Sequence, residues 1–193
     1  MICKQEKMKH PLPAPAPGGI APVVSAARDS RTQGIRAVSV EGSLGRSIIA
    51  RLLPGTDMLN GIQEVCRRHG VKYGFVSCTI GCLGGAAFVC PIPKADAKIG
   101  IIYGDPIKLA GPIEFLGGQG VVCQSEEGNY LIHFHGSVSD KDLRVWGGHF
   151  LAGGNVVLAT LDCVIQEVCG VEMLRKYEEE TGFVQFYPGK MEG

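Results

Sequence analysis

Three of the five histidines lie in one short stretch of the chain, and their spacing suits a metal site. His133 and His135 stand two residues apart in residues 130–138, which alternate as a strand does. Since successive side chains of a strand point to opposite faces, both histidines share one face and the apolar residues between them share the other. His149 follows in the next predicted strand, residues 144–151.

A polar segment, residues 139–143, is expected to join these two strands as a hairpin. Pairing outward from this loop places His149 directly opposite His133, with the Cβ atoms about 4.5–5.5 Å apart. Gly147 then faces His135, so no side chain fills the space between the rings. A register change by an even number of residues keeps these faces, whereas a shift by one residue sends His149 to the other side.

Three converging imidazoles provide the ligands that a divalent transition metal requires. Zinc binds neutral histidine nitrogen, and a three-histidine site leaves a fourth position open for water or substrate. An open site is the catalytic pattern, because the ion acidifies bound water and polarises a carbonyl. We therefore predict a metal site at His133, His135 and His149, with zinc as the expected ion. Nickel, iron and manganese stay open, since ligand type alone does not choose among them.

Two alternative roles for the histidines stay open. They could form hydrogen bonds within the core, or they could lie at a subunit interface. The His-x-His strand also resembles the cupins, which continue with a glutamate and place a final histidine far along the chain. No glutamate follows within residues 136–140, and the third histidine is on the very next strand, which disfavours the cupin alternative.

Composition indicates a globular protein without a strong preference for nucleic acid. The chain has 193 residues, 45% of them hydrophobic, which is enough for one domain of ordinary size or two small ones. Its formal net charge of zero counts against autonomous DNA binding, which usually needs a strongly basic surface. Neither an apolar run of about 18 residues nor a secretory pattern is present, so we expect a cytoplasmic protein without a membrane anchor.

The cysteines and the glycine-rich segment are predicted to be structural. Six of the eight cysteines have apolar neighbours, as buried reduced thiols do: Cys66, Cys78, Cys90, Cys123, Cys163 and Cys169. A redox or metal role for the Cys78–Cys82 pair is the alternative. No Gly-Lys-Ser/Thr follows the glycines of residues 81–85, so a phosphate-binding loop is not supported.

The elements that position the histidines are mostly strands. Residues 1–33 are rich in proline and alanine and are predicted to be an extended arm, with a single domain at 34–193. One helix is expected after Pro54, with Thr56 as its N-cap and Gly70 just beyond its end. A single helix among about seven strands predicts an α+β fold with a central antiparallel sheet.

Taken in order, several segments resemble a known family. They are RLLPGTD at 51–57, FVS at 75–77 ahead of Gly81, GPIEFL at 111–116, HFH at 133–135, GGH at 147–149 and TGF at 181–183. This ordered set resembles the PPC domain, the "plants and prokaryotes conserved" family that is often labelled PD-one-like DNA-binding. The resemblance covers about residues 46–187.

The resemblance implies a compact α+β homotrimer. Plant members add an AT-hook, which this chain does not contain, so it is similar to the stand-alone prokaryotic members. The family's histidine trio maps onto His133, His135 and His149. Glu114 matches the acidic residue of the family's Gly-x-x-Glu-x-Leu segment. This residue would be a catalytic base or a group that supports the metal ligands, with a purely structural carboxylate as the alternative.

Three functions follow from these observations. The first is a homotrimeric metal-binding protein that acts as a metal-dependent small-molecule enzyme or binds a small ligand. The second is a DNA-binding regulatory protein without an AT-hook. The third is a trimeric scaffold that recruits another protein.

Overall fold

A computed structural model of the chain describes residues 36–191, within which the chain forms one helix and ten strands. The predicted arm, residues 1–33, lies outside the described residues. No helix in the described range is long and apolar enough to cross a membrane. The elements are β1 (Ser43–Leu52), α1 (Met58–His69), β2 (Gly74–Val89), β3 (Pro91–Pro93), β4 (Ile101–Tyr103), β5 (Ile107–Gln124), β6 (Tyr130–Ser139), β7 (Val145–Phe150), β8 (Val157–Cys169), β9 (Val171–Glu178) and β10 (Phe183–Lys190).

The predicted α+β class is confirmed. Eight strands form one large sheet in the order β1-β8-β2-β7-β6-β5-β9-β10, and β3 pairs with β4 separately. Neighbouring strands are antiparallel, except that β5 and β9 meet in a short parallel pairing. Because β2 also pairs with β5, the strands β2, β5, β6 and β7 close on themselves as a ring. The two strands that carry the histidines, β6 and β7, are neighbours in this ring.

Two long strands contain bulges. The glycine-rich segment 81–85 lies inside the continuous strand β2, where the pairing with β5 shifts between Leu83 and Gly85. A second shift, between Phe115 and Gly117, lies inside the continuous strand β5, in its pairing with β6. Bulges of this kind bend a strand without ending it.

The helix begins one residue later than predicted. Asp57, not Thr56, is the N-cap, because its Oδ1 accepts a hydrogen bond from the Asn60 N–H at 3.1 Å. The predicted end is confirmed, since Gly70 follows the helix in the left-handed conformation at φ 66°. The apolar stripe of the helix is buried against the sheet.

Aromatic side chains in the core fix the face on which the histidines lie. Phe134 is fully buried. Its ring centroid lies 6.3 Å from that of Phe115 and 6.0 Å from that of Phe150. Because Phe134 stands between His133 and His135 on β6, its burial directs both histidines to the opposite face. The alternation seen in the sequence therefore sets the orientation of the candidate site.

The cysteines of the described residues are free thiols. Four of the six expected in apolar surroundings are buried, whereas Cys90 is half-buried and Cys169 is exposed at the end of β8. Burial raises the pKa of Cys66 and Cys123 to about 12, so both thiols are protonated and unreactive at neutral pH. These features support the structural role that we predicted.

An ion pair fastens β1 to β8 and to the end of the helix. Nε and Nη2 of Arg46 each donate to one carboxylate oxygen of Glu167 at 2.8 Å, and Nη2 also donates to the carbonyl of His69. The hydrogen bonds from Arg46 lower the pKa of Glu167 to about 2. Glu167 is therefore ionised in the folded protein down to a lower pH than in the unfolded chain.

We expect Glu167→Gln to lower the melting temperature at pH 7 by about 1–4 °C. A carboxylate whose pKa falls on folding stabilises the protein above its unfolded pKa, and this contribution is lost as the pH falls towards the folded value of about 2. The difference between wild type and variant should therefore narrow from pH 7 to pH 3 in thermal unfolding monitored by circular dichroism. Glu41→Gln, at an exposed site, is the control. A difference in melting temperature that does not change with pH would contradict the lowered pKa of Glu167.

Candidate metal centre

The β6–β7 hairpin brings all three predicted histidines together, in a register two residues away from the expected one. His149 lies opposite His135, and Gly147 lies opposite Ser137. The predictions that His149 faces His133 and that Gly147 faces His135 are therefore wrong. The shift is even, so the three rings still share one face, as the alternation requires.

The loop sequence explains the register. Asp140 closes the turn through its backbone N–H, which donates to the Arg144 carbonyl at 3.0 Å. Its Oδ1 accepts from the backbone N–H groups of Asp142 and Arg144, and its Oδ2 accepts from Nε1 of Trp146 at 2.9 Å. These four bonds make Asp140 the first residue of the loop, so Ser139 remains in the strand opposite Val145.

The three imidazoles form a compact cluster. Ring centroids are 5.0 Å apart for His133 and His135, 4.7 Å for His133 and His149, and 5.2 Å for His135 and His149. One nitrogen from each ring lies within 4.8 Å of the others, a spacing that could hold a metal ion. All three histidines belong to one chain.

Glycines on β5 and β7 let neighbouring strands approach each other closely around the histidines. Gly120 on β5 lies opposite Phe134, and a Cβ there would come 2.5 Å from the carbonyl oxygen of His133. A Cβ on Gly148 would come equally close to the carbonyl oxygen of Val89 on β2. A side chain at either position would push apart the strands that hold the cluster.

Two of the rings are held in the neutral form that a metal requires. Burial, followed by the charge of Arg175 and the other two rings, lowers the pKa of His133 to about 4. Burial is also the main cause that lowers the pKa of His149, followed by His135 and Arg175. Neutral imidazole is the form that binds metal, so neither ring has to lose a proton to solvent at neutral pH.

Arg175 on β9 contacts the cluster directly, which the sequence did not predict. Its Nη1 donates to Nδ1 of His133, and its Nη2 donates to the carbonyl of Val184 at 2.6 Å. Since a guanidinium can only donate, Nδ1 accepts and the proton of the neutral His133 ring lies on Nε2. That nitrogen lies 3.0 Å from Nε2 of His135.

The donor set fits a divalent transition metal. Nδ1 of His149 is buried and has no hydrogen-bond partner among the described residues, which is costly for a polar atom. A metal ion would satisfy such a nitrogen. A metal bound at Nε2 of His133 would require the proton to lie on Nδ1, and Nη1 of Arg175 would then lose its acceptor.

Glu114 lies apart from this cluster. It is exposed on β5, where it pairs with Cys82 of β2 and Ser139 of β6. It does not line either of the cavities that His133 reaches. Its catalytic role stays a prediction.

A cavity of about 560 Å³ borders His135, and two further cavities meet at His133. The larger, of about 620 Å³, lies on the side of His133 and His135 and is lined by β2, β5 and β8. The smaller, of about 180 Å³, lies on the side of His133 and His149 and is lined by Arg175 and by residues of β4 and β10. A ligand could therefore reach the cluster from two sides.

Comparison with protein families identifies the fold. Residues 39–169 match the model of the Plants and Prokaryotes Conserved (PCC) domain, which is the PPC family. The chain belongs to this family. The match includes all three histidines and ends before Arg175, so Arg175 lies outside the matched residues.

Solved structures share the PPC fold. A metal-containing protein of Archaeoglobus fulgidus is 23% identical with a TM-score of 0.65, over 79% of this chain and 99% of that one. A PPC protein of Pyrococcus horikoshii is 24% identical with a TM-score of 0.65, over 80% and 100%. A candidate DNA-binding protein of Bacteroides thetaiotaomicron is 17% identical with a TM-score of 0.61, over 75% and 96%.

A curated relative is a much longer protein. The bifunctional protein GlmU of a Synechococcus strain is 26% identical over 141 residues, which cover 73% of this chain. These residues are 20% of the relative, so this PPC chain matches about a fifth of its length.

Proposed function

We propose that the protein is a homotrimeric metal-binding protein whose three-histidine site acts on, or binds, a small molecule. The observation that carries this proposal is the convergence of three imidazole nitrogens within 4.8 Å on one face of the β6–β7 hairpin. The unpartnered, buried Nδ1 of His149 supports it. So does the metal found in the Archaeoglobus fulgidus protein of the same fold.

His133, His135 and His149 would hold the ion, which we expect to be zinc. When bound, such an ion supplies a Lewis acid and lowers the pKa of a water in its open position. The chain supplies the neutral state of the ligands through the burial of His133 and His149. Arg175 supplies a fixed positive charge beside them.

Exposed apolar side chains support association of subunits. On the sheet face away from α1, Ile49 of β1, Phe75 of β2 and Ile80 of β2 are exposed although they are large and hydrophobic. Apolar side chains grouped on a sheet face are typical of subunit interfaces. We propose that this face is covered by neighbouring subunits.

Native mass spectrometry of the untagged protein, supplied with zinc, tests the proposal. We expect a trimer of 20.5 kDa subunits that carries one metal ion per subunit. The double variant His133→Ala with His149→Ala should lose the metal, because two of three ligands are removed, and should keep the trimer. The absence of stoichiometric metal, or its full retention in the double variant, would refute the metal site. If that result came with salt-dependent binding to duplex DNA, the DNA-binding alternative would replace it.

A further inference from the structure

Arg175 is a half-buried cation without a carboxylate partner in the described part of the chain. Its two hydrogen bonds go to a neutral ring nitrogen of His133 and to the carbonyl of Val184. A guanidinium carries five N–H groups, so further donors are available. Burying a charge is unfavourable unless an opposite charge compensates it.

The cavity beside Arg175 is small, and both apolar and polar side chains line it. Its volume is about 180 Å³, and its walls are mostly aliphatic and aromatic side chains: Pro91, Ile99, Ile101, Ile102, Tyr103 and Phe183. The lining residues with polar side chains are His133, His149, Arg175, Gln185 and Tyr103. No acidic side chain lines this cavity.

The β3–β4 hairpin covers the cavity and is fastened on both sides. The Tyr103 ring lies 5.4 Å from the ring of His149 and packs edge-on against Phe183, with the centroids 5.8 Å apart. The turn of this hairpin is tied to the β9–β10 turn by an ion pair between Lys98 and Glu179. The cavity therefore has an apolar cover whose position is set by specific contacts.

Charge decides what such a cavity binds. Arg175 brings one positive charge, and a divalent ion held by the histidines would add two more, with no carboxylate in the lining to offset them. Charge-assisted hydrogen bonds from arginine to a carboxylate are short and strong. The apolar walls disfavour a ligand that is polar throughout, because its polar groups against these walls would lose water without gaining partners.

We infer that this cavity binds a small monocarboxylate, with the carboxylate at Arg175 beside the histidine cluster and an apolar body against the β3–β4 hairpin. A cavity of about 150 Å³ accepts benzene, so a volume of about 180 Å³ limits the body to about the size of one ring. This inference names the ligand class of the proposed metal site. Only the part of the affinity that the metal contributes rests on that proposed function. Arg175 and the cavity walls belong to the chain itself.

Isothermal titration calorimetry with benzoate and its neutral analogue benzamide tests the inference. With metal-free protein, benzoate should bind at least about tenfold more tightly than benzamide, because only the carboxylate pairs with the guanidinium. Loading the protein with zinc should strengthen benzoate binding further. Arg175→Gln should weaken benzoate binding by about tenfold or more and leave benzamide unchanged, whereas Arg175→Lys should retain part of the preference. Arg68→Gln, on the exposed face of α1, should change neither.

The outcomes separate this inference from the proposed function. Equal binding of benzoate and benzamide, or a preference that survives Arg175→Gln, would overturn the monocarboxylate site even if zinc binds to the three histidines. Inorganic phosphate that displaces benzoate at a lower concentration would overturn the choice of a carboxylate. A benzoate preference that depends on Arg175 in a protein that never takes up zinc would support the anion site and refute the metal centre.

Discussion

Replacing His149 with alanine is expected to lower the affinity for zinc by at least about a hundredfold. Groups that merely support a metal ligand typically contribute ten- to a hundredfold in affinity, and a direct ligand contributes more. Nδ1 of His149 also has no hydrogen-bond partner among the described residues, so a metal bound there would give this buried nitrogen a partner. Competition with a chromophoric chelator at neutral pH measures the affinity of wild type and variant.

A matched substitution separates this effect from a general loss of histidine. His69 lies exposed in the last turn of α1, outside the cluster, and His69→Ala should leave zinc affinity unchanged. Circular dichroism should show the same sheet content in all three proteins. An unchanged affinity in His149→Ala, with the fold intact, would exclude this ring from the ligand set.

The face of the histidine cluster could be predicted from the sequence because a strand has a period of two. Phe134 had to enter the core, so His133 and His135 had to leave it, whatever the exact pairing. His149 kept the same face because the register error was an even number of residues. The prediction depended on local alternation, which the tertiary structure does not override here.

The exact pairing could not be predicted because a side chain decides where the loop begins. Asp140 accepts three hydrogen bonds and thereby holds itself in the turn. Composition marked residues 139–143 as polar but did not show which of them would cap the loop. The same cause displaced the predicted N-cap from Thr56 to Asp57, where the aspartate has a second partner in Asn155.

Arg175 and Tyr103 were missed because they reach the site from distant parts of the chain. Arg175 lies 42 residues after His133, on a strand that the sequence did not predict. Tyr103 lies on β4, a strand of three residues whose signal is too short to indicate a partner. Neither contact has a local pattern, so only the sheet order and the β3–β4 hairpin bring them to the histidines.

Asn155 joins three parts of the fold from a fully buried position. Its side-chain Oδ1 accepts from the Ala87 N–H on β2 at 2.8 Å, and its Nδ2 donates to the carbonyl of Leu151 just after β7. Its backbone carbonyl accepts from the Met58 N–H at the start of α1, while its own N–H donates to Oδ2 of Asp57. The helix, the long strand and the strand that carries His149 are therefore held together at one residue.

Asn155→Ala is expected to lower the free energy of unfolding by about 2–4 kcal/mol. The substitution leaves the Ala87 N–H and the Leu151 carbonyl without their partner, and an unsatisfied buried polar group costs more than the hydrogen bond contributed. Urea unfolding measures the change as a shift in midpoint. Both proteins are compared at the same concentration, because subunit association would add to stability. Asn129→Ala, in the exposed β5–β6 turn, should shift the midpoint little. Equal shifts in the two variants would show that the buried hydrogen bonds of Asn155 contribute no more to stability than an exposed asparagine does.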